Sequence, residues 1–303
     1  MSELPSHASA SGHAYLQLRE LAKRTGRQTD ELLKFYALEG FLQRLARSPH
    51  VEEYVLKGGL LLAAFAARRP TRDIDLQGRN TPNDVTHIVA LVDEILAISI
   101  DDGLAFVIGS TRGETIRDDD EYSGVRVSVD ARLHNAVVDF HIDISFGDPI
   151  WPDPVPTELP LLLGGNLSLQ AYPLTLVLAE KTITALQRGT ANTRWRDFAD
   201  LTLLSAAHSI DGDEFTEALR VVATYRRVSL TLLADVLVGW AETAQRHWVI
   251  WRRRQRLELL LPENFGHILI DCTRFCDPAL TGQAAHLTWS PSRQRWLTDD
   301  GNG

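Results

Sequence analysis

The chain has 303 residues, 44% of them hydrophobic and 23% charged, the composition of a globular protein with one large domain or two modest ones. No apolar run approaches the roughly 18 residues of a membrane span, and the polar opening Met1–His13 lacks the layout of a secretory signal, so a cytoplasmic protein without a membrane partner is expected. A formal net charge of −9 argues against a protein that merely coats nucleic acid, yet leaves room for an enzyme with a local basic surface.

Residues 14–25 and 28–47 carry apolar positions at helical spacing, notably Leu32, Leu33, Tyr36, Phe41, Leu42 and Leu45. Tyr54–Leu56 is a short apolar strand that runs into Lys57-Gly58-Gly59, followed by an apolar helix through Phe65. Asp73-Ile74-Asp75-Leu76 alternates with period two, as a strand does. An amphipathic helix is expected over 83–98, then strands over 104–110, 124–133 and 136–146. The last places Val138, Phe140, Ile142 and Ile144 on one face, and Asp139, His141 and Asp143 on the other. Trp151–Pro156 is proline-dense and reads as a crossing loop. From Leu174 the pattern is helical: 174–187, 195–207, 213–226, 229–254 and 263–276. Cys272 and Cys276, one turn apart on the last of these, read as buried reduced thiols. The expected fold is α/β (α+β): N-terminal helices and a mixed sheet flanked by helices over 1–165, then a helical domain over 166–303.

Of the 31 basic side chains only Lys23, Lys34, Lys57 and Lys181 are lysine, leaving 27 arginines. In a chain that uses arginine for generic positive charge, a lysine marks a place where a compact ammonium is needed. Two of the four lie in the motifs that carry chemistry. Gly58-Gly59, at a strand-to-helix turn, lets backbone amides approach an anion, with potential from the helix N-terminus. Asp73 and Asp75, at i and i+2 of one strand, share a face and can hold a divalent cation against phosphate oxygens. Asp143 can supply a third carboxylate if its strand lies alongside, and three converging carboxylates require a cation. Taken singly, a Gly-Gly is a turn and a D-x-D a solvated strand face; their order along the chain favours phosphoryl transfer. Downstream, Lys181 and Arg188 lie two turns apart on one helix, and both can address a triphosphate. Asp197, or Asp200 one turn later, can orient Lys181. The plain alternative there is a salt-bridged helix pair.

The stretches LKGGLLL (56–62), TRDIDL (71–76), AEKTITALQR (179–188) and RWRDFADL (194–201) resemble the AbiEii/MenT family of nucleotidyltransferase toxins, whose palm is similar to that of DNA polymerase beta. The resemblance covers roughly residues 50–205. It implies catalytic roles for Asp73, Asp75, Lys181 and Asp197, and Mg²⁺ (or Mn²⁺) on Asp73, Asp75 and Asp143. The triphosphate would be held by Lys57, Gly58, Gly59, Thr71, Arg72 and Lys181. The wider superfamily places Ser after the second glycine; here Leu60 follows Gly59, so backbone amides or the Thr71 hydroxyl must substitute. As a plain residue, Thr71, flanked by Arg68, Arg69 and Arg72, simply starts the strand.

Family membership implies a toxin with a cognate antitoxin. It would transfer a nucleoside monophosphate, a pyrimidine, from NTP to the 3′ end of tRNA and so block aminoacylation. For the RNA, the densest positive stretch is Arg246–Trp251 with Arg252, Arg253, Arg254 and Arg256, where arginines interleave with tryptophans; a solvated helix face competes. Two other readings share the fold: an antibiotic-type nucleotidyltransferase with a small-molecule acceptor, and a non-catalytic module, against which the intact Asp73, Asp75 and Lys181 argue.

Overall fold

Ser9 accepts a hydrogen bond from the Gly12 amide and so starts α1 (Ala10–Thr25), which ends where Gly26 turns left-handed. The computed structural model describes residues 4–67, 70–107, 109–118 and 122–298. It divides into two compact units, Met1–Asp148 with Val155–Ala171, and Pro149–Pro154 with Tyr172–Gly303. Among the described residues no helix is long and apolar enough to cross a membrane.

In the first unit, α1 and α2 (Thr29–Leu45) precede β1 (Tyr54–Lys57), α3 (Gly58–Leu61), β2 (Asp73–Gly78), α4 (Val85–Leu96), β3 (Leu104–Phe106), β4 (Arg112–Asp118), β5 (Tyr122–Leu133), β6 (Ala136–Phe146), β7 (Val155–Pro160) and β8 (Asn166–Ala171). The strands form a mixed sheet in the order β3-β5-β6-β2-β1-β8-β7, with β4 also pairing β5. The β2–β6 and β1–β8 pairs are parallel and the others antiparallel. Val138, Phe140, Ile142 and Ile144 of β6 are buried, beneath α2, so the alternation read from the sequence sets which face is covered. Asp139, His141 and Asp143 are left on the other face.

Four features depart from the sequence reading. The strand expected over 104–110 pairs only through Phe106, and a polar strand, β4, follows. The helix expected through Phe65 is regular only over Gly58–Leu61 and continues as turns. Val155 and Pro156, the end of the expected crossing loop, already belong to β7, and β8 follows; Pro156 and Pro160 are tolerated because β7 lies at the sheet edge, where an amide donor can be missing. Since β8 pairs with β1, this unit's sheet extends to Ala171 rather than ending at 165.

The second unit holds α5 (Leu174–Arg188), α6 (Trp195–Ala207), β9 (Ile210–Asp211), α7 (Gly212–Tyr225), α8 (Leu233–Val236), α9 (Trp240–Arg254), α10 (Phe265–Leu280), β10 (Thr288–Ser290) and β11 (Arg295–Leu297). The single helix expected over 229–254 is broken: Gly239 at φ 75° separates α8 from α9. The three short strands form a small antiparallel sheet too brief to show a period. Cys272 and Cys276 are free and buried, and burial pushes the Cys272 thiol up to about 12.

One buried ion pair ties α2 to the turn before β3. Arg44 Nη1 and Nη2 donate to the two Asp102 oxygens at 2.5 and 3.2 Å, and the guanidinium lies 4.7 Å from the Phe106 ring centroid. Removing one member leaves the other charged and buried, so Asp102→Ala is expected to cost about 3–5 kcal/mol. Asp139→Ala, which removes only the exposed Lys34–Asp139 pair, should cost less than about 1 kcal/mol. Denaturant unfolding of the two variants checks the ordering; equal losses would mean that Arg44 is satisfied without Asp102.

Candidate active site

Strand register places four charged side chains in one row across adjacent strands. Lys57 on β1 lies opposite Asp75 on β2, Asp75 opposite Asp143 on β6, and Asp143 opposite Arg126 on β5. Residues directly opposite project to the same face, so the row alternates cation, two carboxylates, cation. Asp73 sits one pleat along β2 on the same face, opposite His141.

Gly58 makes the approach to this row possible. Its φ of 69° is left-handed, and a Cβ there would lie 1.9 Å from Asp75 Oδ2, so no other residue fits. The Gly59 amide donates to Asp75 Oδ2 at 3.3 Å. α3 is a single turn, so its dipole contributes little; the amides themselves supply the positive edge expected at this turn. Burial, then the neighbouring Asp143, raises the Asp75 carboxyl above its ordinary range; Lys57 and the Gly59 amide pull it down, and Asp73 pushes it up.

The sequence reading missed Arg126. Its Nε and Nη2 donate to Asp143 Oδ1 and Oδ2, each at 2.7 Å, a two-pronged pair. The third carboxylate is therefore paired with a guanidinium, which supplies one cation to the cluster. Among the described residues no three His, Cys, Asp or Glu side chains form a ligand set. The donors on β2 nonetheless suit Mg²⁺ or Mn²⁺: two hard carboxylates on one face, repelling each other and Asp143, to be completed by substrate phosphates.

Lys57 Nζ donates to Asp148 Oδ2 at 3.0 Å, which tethers the lysine beside the glycine loop. The half-buried Thr71 hydroxyl donates to the Asp73 carbonyl at 3.3 Å, a local bond that starts β2, and Arg72 is exposed. Arg68 and Arg69 lie outside the described residues.

In the second unit, Lys181 on α5 donates to Asp197 Oδ1 at 3.2 Å and to Asp200 Oδ2 at 2.6 Å, both on α6. Both of the carboxylates that the sequence offered as partners therefore hold Lys181. Asp197 Oδ2 also lies 2.9 Å from Arg194 Nε, an ion pair without hydrogen-bond alignment. Burial acts to raise the Asp197 carboxyl, but Lys181, Arg194 and Arg196 outweigh it and hold it below the usual range.

The basic stretch divides between core and solvent. Arg252 is buried, with Nε donating to the Leu261 carbonyl and Nη2 to that of Glu258, each at 2.7 Å. It caps the turn after α9, and burial turns its guanidinium inward, away from the surface on which the sequence reading placed it against RNA. Trp248 is also buried and donates to the Pro262 carbonyl. Arg253, Arg254 and Arg256 are exposed.

A family model described as the nucleotidyl transferase AbiEii toxin of a type IV toxin–antitoxin system matches residues 40–275. A candidate nucleotidyltransferase from H. pylori aligns with TM-score 0.48 and 14% identity over 84% of this chain and 96% of its own. JHP933 from Helicobacter pylori aligns with TM-score 0.45 and 15% identity over 82% and 91%. No curated protein matches.

The charge row yields two opposite stability effects. Asp75→Asn should melt above the wild type near pH 7, since it removes a carboxylate whose ionised form the fold disfavours. Arg126→Gln should melt below it, because Asp143 then faces Asp75 without its cation. A carboxyl raised in the fold, as Asp75 is, favours the fold below its unfolded value of about 4, and this contribution is lost as pH rises through the folded value, so the Asp75→Asn advantage must shrink on acidification. Thermal melts of both variants from about pH 4.5 to 7 read the two effects; an Asp75→Asn advantage independent of pH would contradict burial and crowding as its source.

Proposed function

We propose an acceptor, a nucleotide and a metal for this chain, which belongs to the AbiEii family of nucleotidyl transferase toxins of type IV toxin–antitoxin systems. It is a nucleotidyltransferase that uses NTP, and the family implies a cognate antitoxin. In our reading it acts in the cytoplasm and transfers a pyrimidine nucleoside monophosphate to the 3′ end of tRNA, which blocks aminoacylation. The supporting observation is the close approach of Gly58 and the Gly59 amide to Asp75, beside Asp73 on the same face.

The acceptor 3′-hydroxyl oxygen forms a bond to the α-phosphorus, the bond to the β-phosphate bridge breaks, and pyrophosphate leaves; the hydroxyl proton passes to solvent. Asp73 and Asp75 would hold Mg²⁺ or Mn²⁺, with Asp143 beside them, and the ion would neutralise charge on the phosphate oxygens. The Gly58 and Gly59 amides bind phosphate, with Lys57 held next to them by Asp148. Arg126 holds Asp143 in place by its two hydrogen bonds. We assign Lys181 to the departing phosphates, oriented by Asp197 and Asp200. Thr71 and Arg72 remain proposed phosphate contacts, and Arg253, Arg254 and Arg256 proposed RNA contacts.

A second reading has one observation in its favour. A cavity of about 620 Å³ in the helical unit is lined by Trp151, Pro152, Asp153, Asp213, Glu214 and Glu217, an acidic setting that suits a cationic small-molecule acceptor. Three of its four carboxylates have partners, however: Asp213 pairs with His286, Glu214 with Thr175, and Glu217 with Arg220.

Purified protein incubated with total tRNA, Mg²⁺ and each labelled nucleoside triphosphate in turn tests the proposal. Label from CTP or UTP is expected in tRNA, with none from Asp73→Ala or Asp75→Ala of unchanged circular dichroism. Lys181→Arg should recover less than about a tenth of wild-type turnover, since a planar fork cannot replace a compact ammonium between two buried carboxylates. Label reaching only a small cationic acceptor such as an aminoglycoside would overturn the tRNA reading.

A further inference from the structure

The tryptophan that opens α6 belongs to an aromatic column that the sequence gives no means of assembling. The Trp195 ring sits between Trp240 and His247, which lie seven residues apart and so on one side of α9. It is stacked on Trp240 with centroids 5.3 Å apart at 12°, and on His247 at 6.2 Å and 9°. Phe265 meets Trp195 and Trp240 edge-on, at 5.5 and 5.0 Å, and fixes their planes. The column runs from core to water: Trp240 is 4% exposed, Trp195 is half-buried, and His247 is exposed. Its cationic surroundings are Arg196, next to Trp195, and Arg246, next to His247, both exposed. Arg253 and Arg254 follow one to two turns along α9. Two residues after Trp195 stands Asp197, which holds Lys181.

We infer that the outer end of this column, His247 backed by Trp195, is a platform on which an unpaired nucleobase at the 3′ end of the acceptor RNA stacks. The inference rests on the RNA-acceptor reading above and deepens it. Parallel flat rings of fixed orientation offer a π-face to any base, and flanking arginines receive the adjoining phosphates. Trp195 and the two carboxylates that hold Lys181 are carried by the same helix, α6, so the column and the cluster assigned to the phosphates belong to one helical unit. The tryptophans within the arginine-rich stretch cannot serve as well: Trp248 is enclosed, and Trp251 stacks against it at 5.3 Å.

The test uses the full chain and two probes, a short fluorescein-labelled single-stranded RNA with a free 3′-hydroxyl and a non-hydrolysable CTP analogue. His247→Ala should weaken RNA binding about five- to a hundredfold, the loss of one base–aromatic stack, and leave the analogue's affinity unchanged. His247→Phe should bind within about twofold of wild type. The salt slope should stay that of the wild type in His247→Ala, whereas Arg253→Gln with Arg254→Gln should flatten it, because stacking releases no counterions. An RNA with abasic terminal nucleotides should bind wild type and His247→Ala alike. Unchanged RNA affinity in His247→Ala would overturn the platform and leave the RNA reading standing, as would a loss confined to the CTP analogue. A wild-type protein that binds no RNA at all would overturn both.

Discussion

Asp75 is held close to Asp143 and Asp73, and much else in the first unit can be understood as what makes that arrangement tolerable. Like carboxylates in a partly dry strand row repel, and burial adds to the cost of ionising them, which is why the Asp75 carboxyl stands above its usual range. Lys57 and Arg126 flank the pair on the outer strands of the row, so the cations arrive through the sheet's own register. The glycine turn completes the arrangement. Only a residue without Cβ leaves room for Asp75 Oδ2, and only then can the next amide reach it. Strain of this kind, kept at one place and supported on both sides, is what a site that must accept a triphosphate and a cation would be expected to show.

The helical unit handles buried carboxylates differently. Asp197 and Asp200 are almost wholly enclosed, yet one ammonium serves both, and Arg194 adds charge to the first. A lysine suits that position because three rotatable donors on a compact head can meet two acceptors one helical turn apart. The scarcity of lysine in this arginine-rich chain agrees with such a demand at Lys57 and Lys181, both of which end on carboxylates. Neither lysine is a generic surface charge.

α9 shows how one helix can divide a single run of residues between unlike tasks. Trp248 and Arg252, four apart, turn inward and anchor the turn at Glu258–Pro262. Arg246, His247, Arg253 and Arg254 turn to water. The face that carries Trp240 and His247 receives Trp195 from α6, so the aromatic character of this surface is built by two helices rather than one.

The residues alone settled what depends on local period and composition. The alternation of β6 announced its covered and open faces, Asp73 and Asp75 were placed on one face by strand geometry, and Lys181 stood out by its rarity. The glycines marked a turn, and the four motifs in order pointed to the family. Tertiary structure decided whatever depends on register or on long-range pairing. That Arg126, and no other residue of β5, meets Asp143 follows from strand pairing that no local pattern encodes. The prolines of β7 conceal a strand that exists because its edge position tolerates a missing donor. The inward turn of Arg252 and the insertion of Trp195 between two residues of α9 follow from packing, since a helical sequence shows which positions share a face but not what that face will meet.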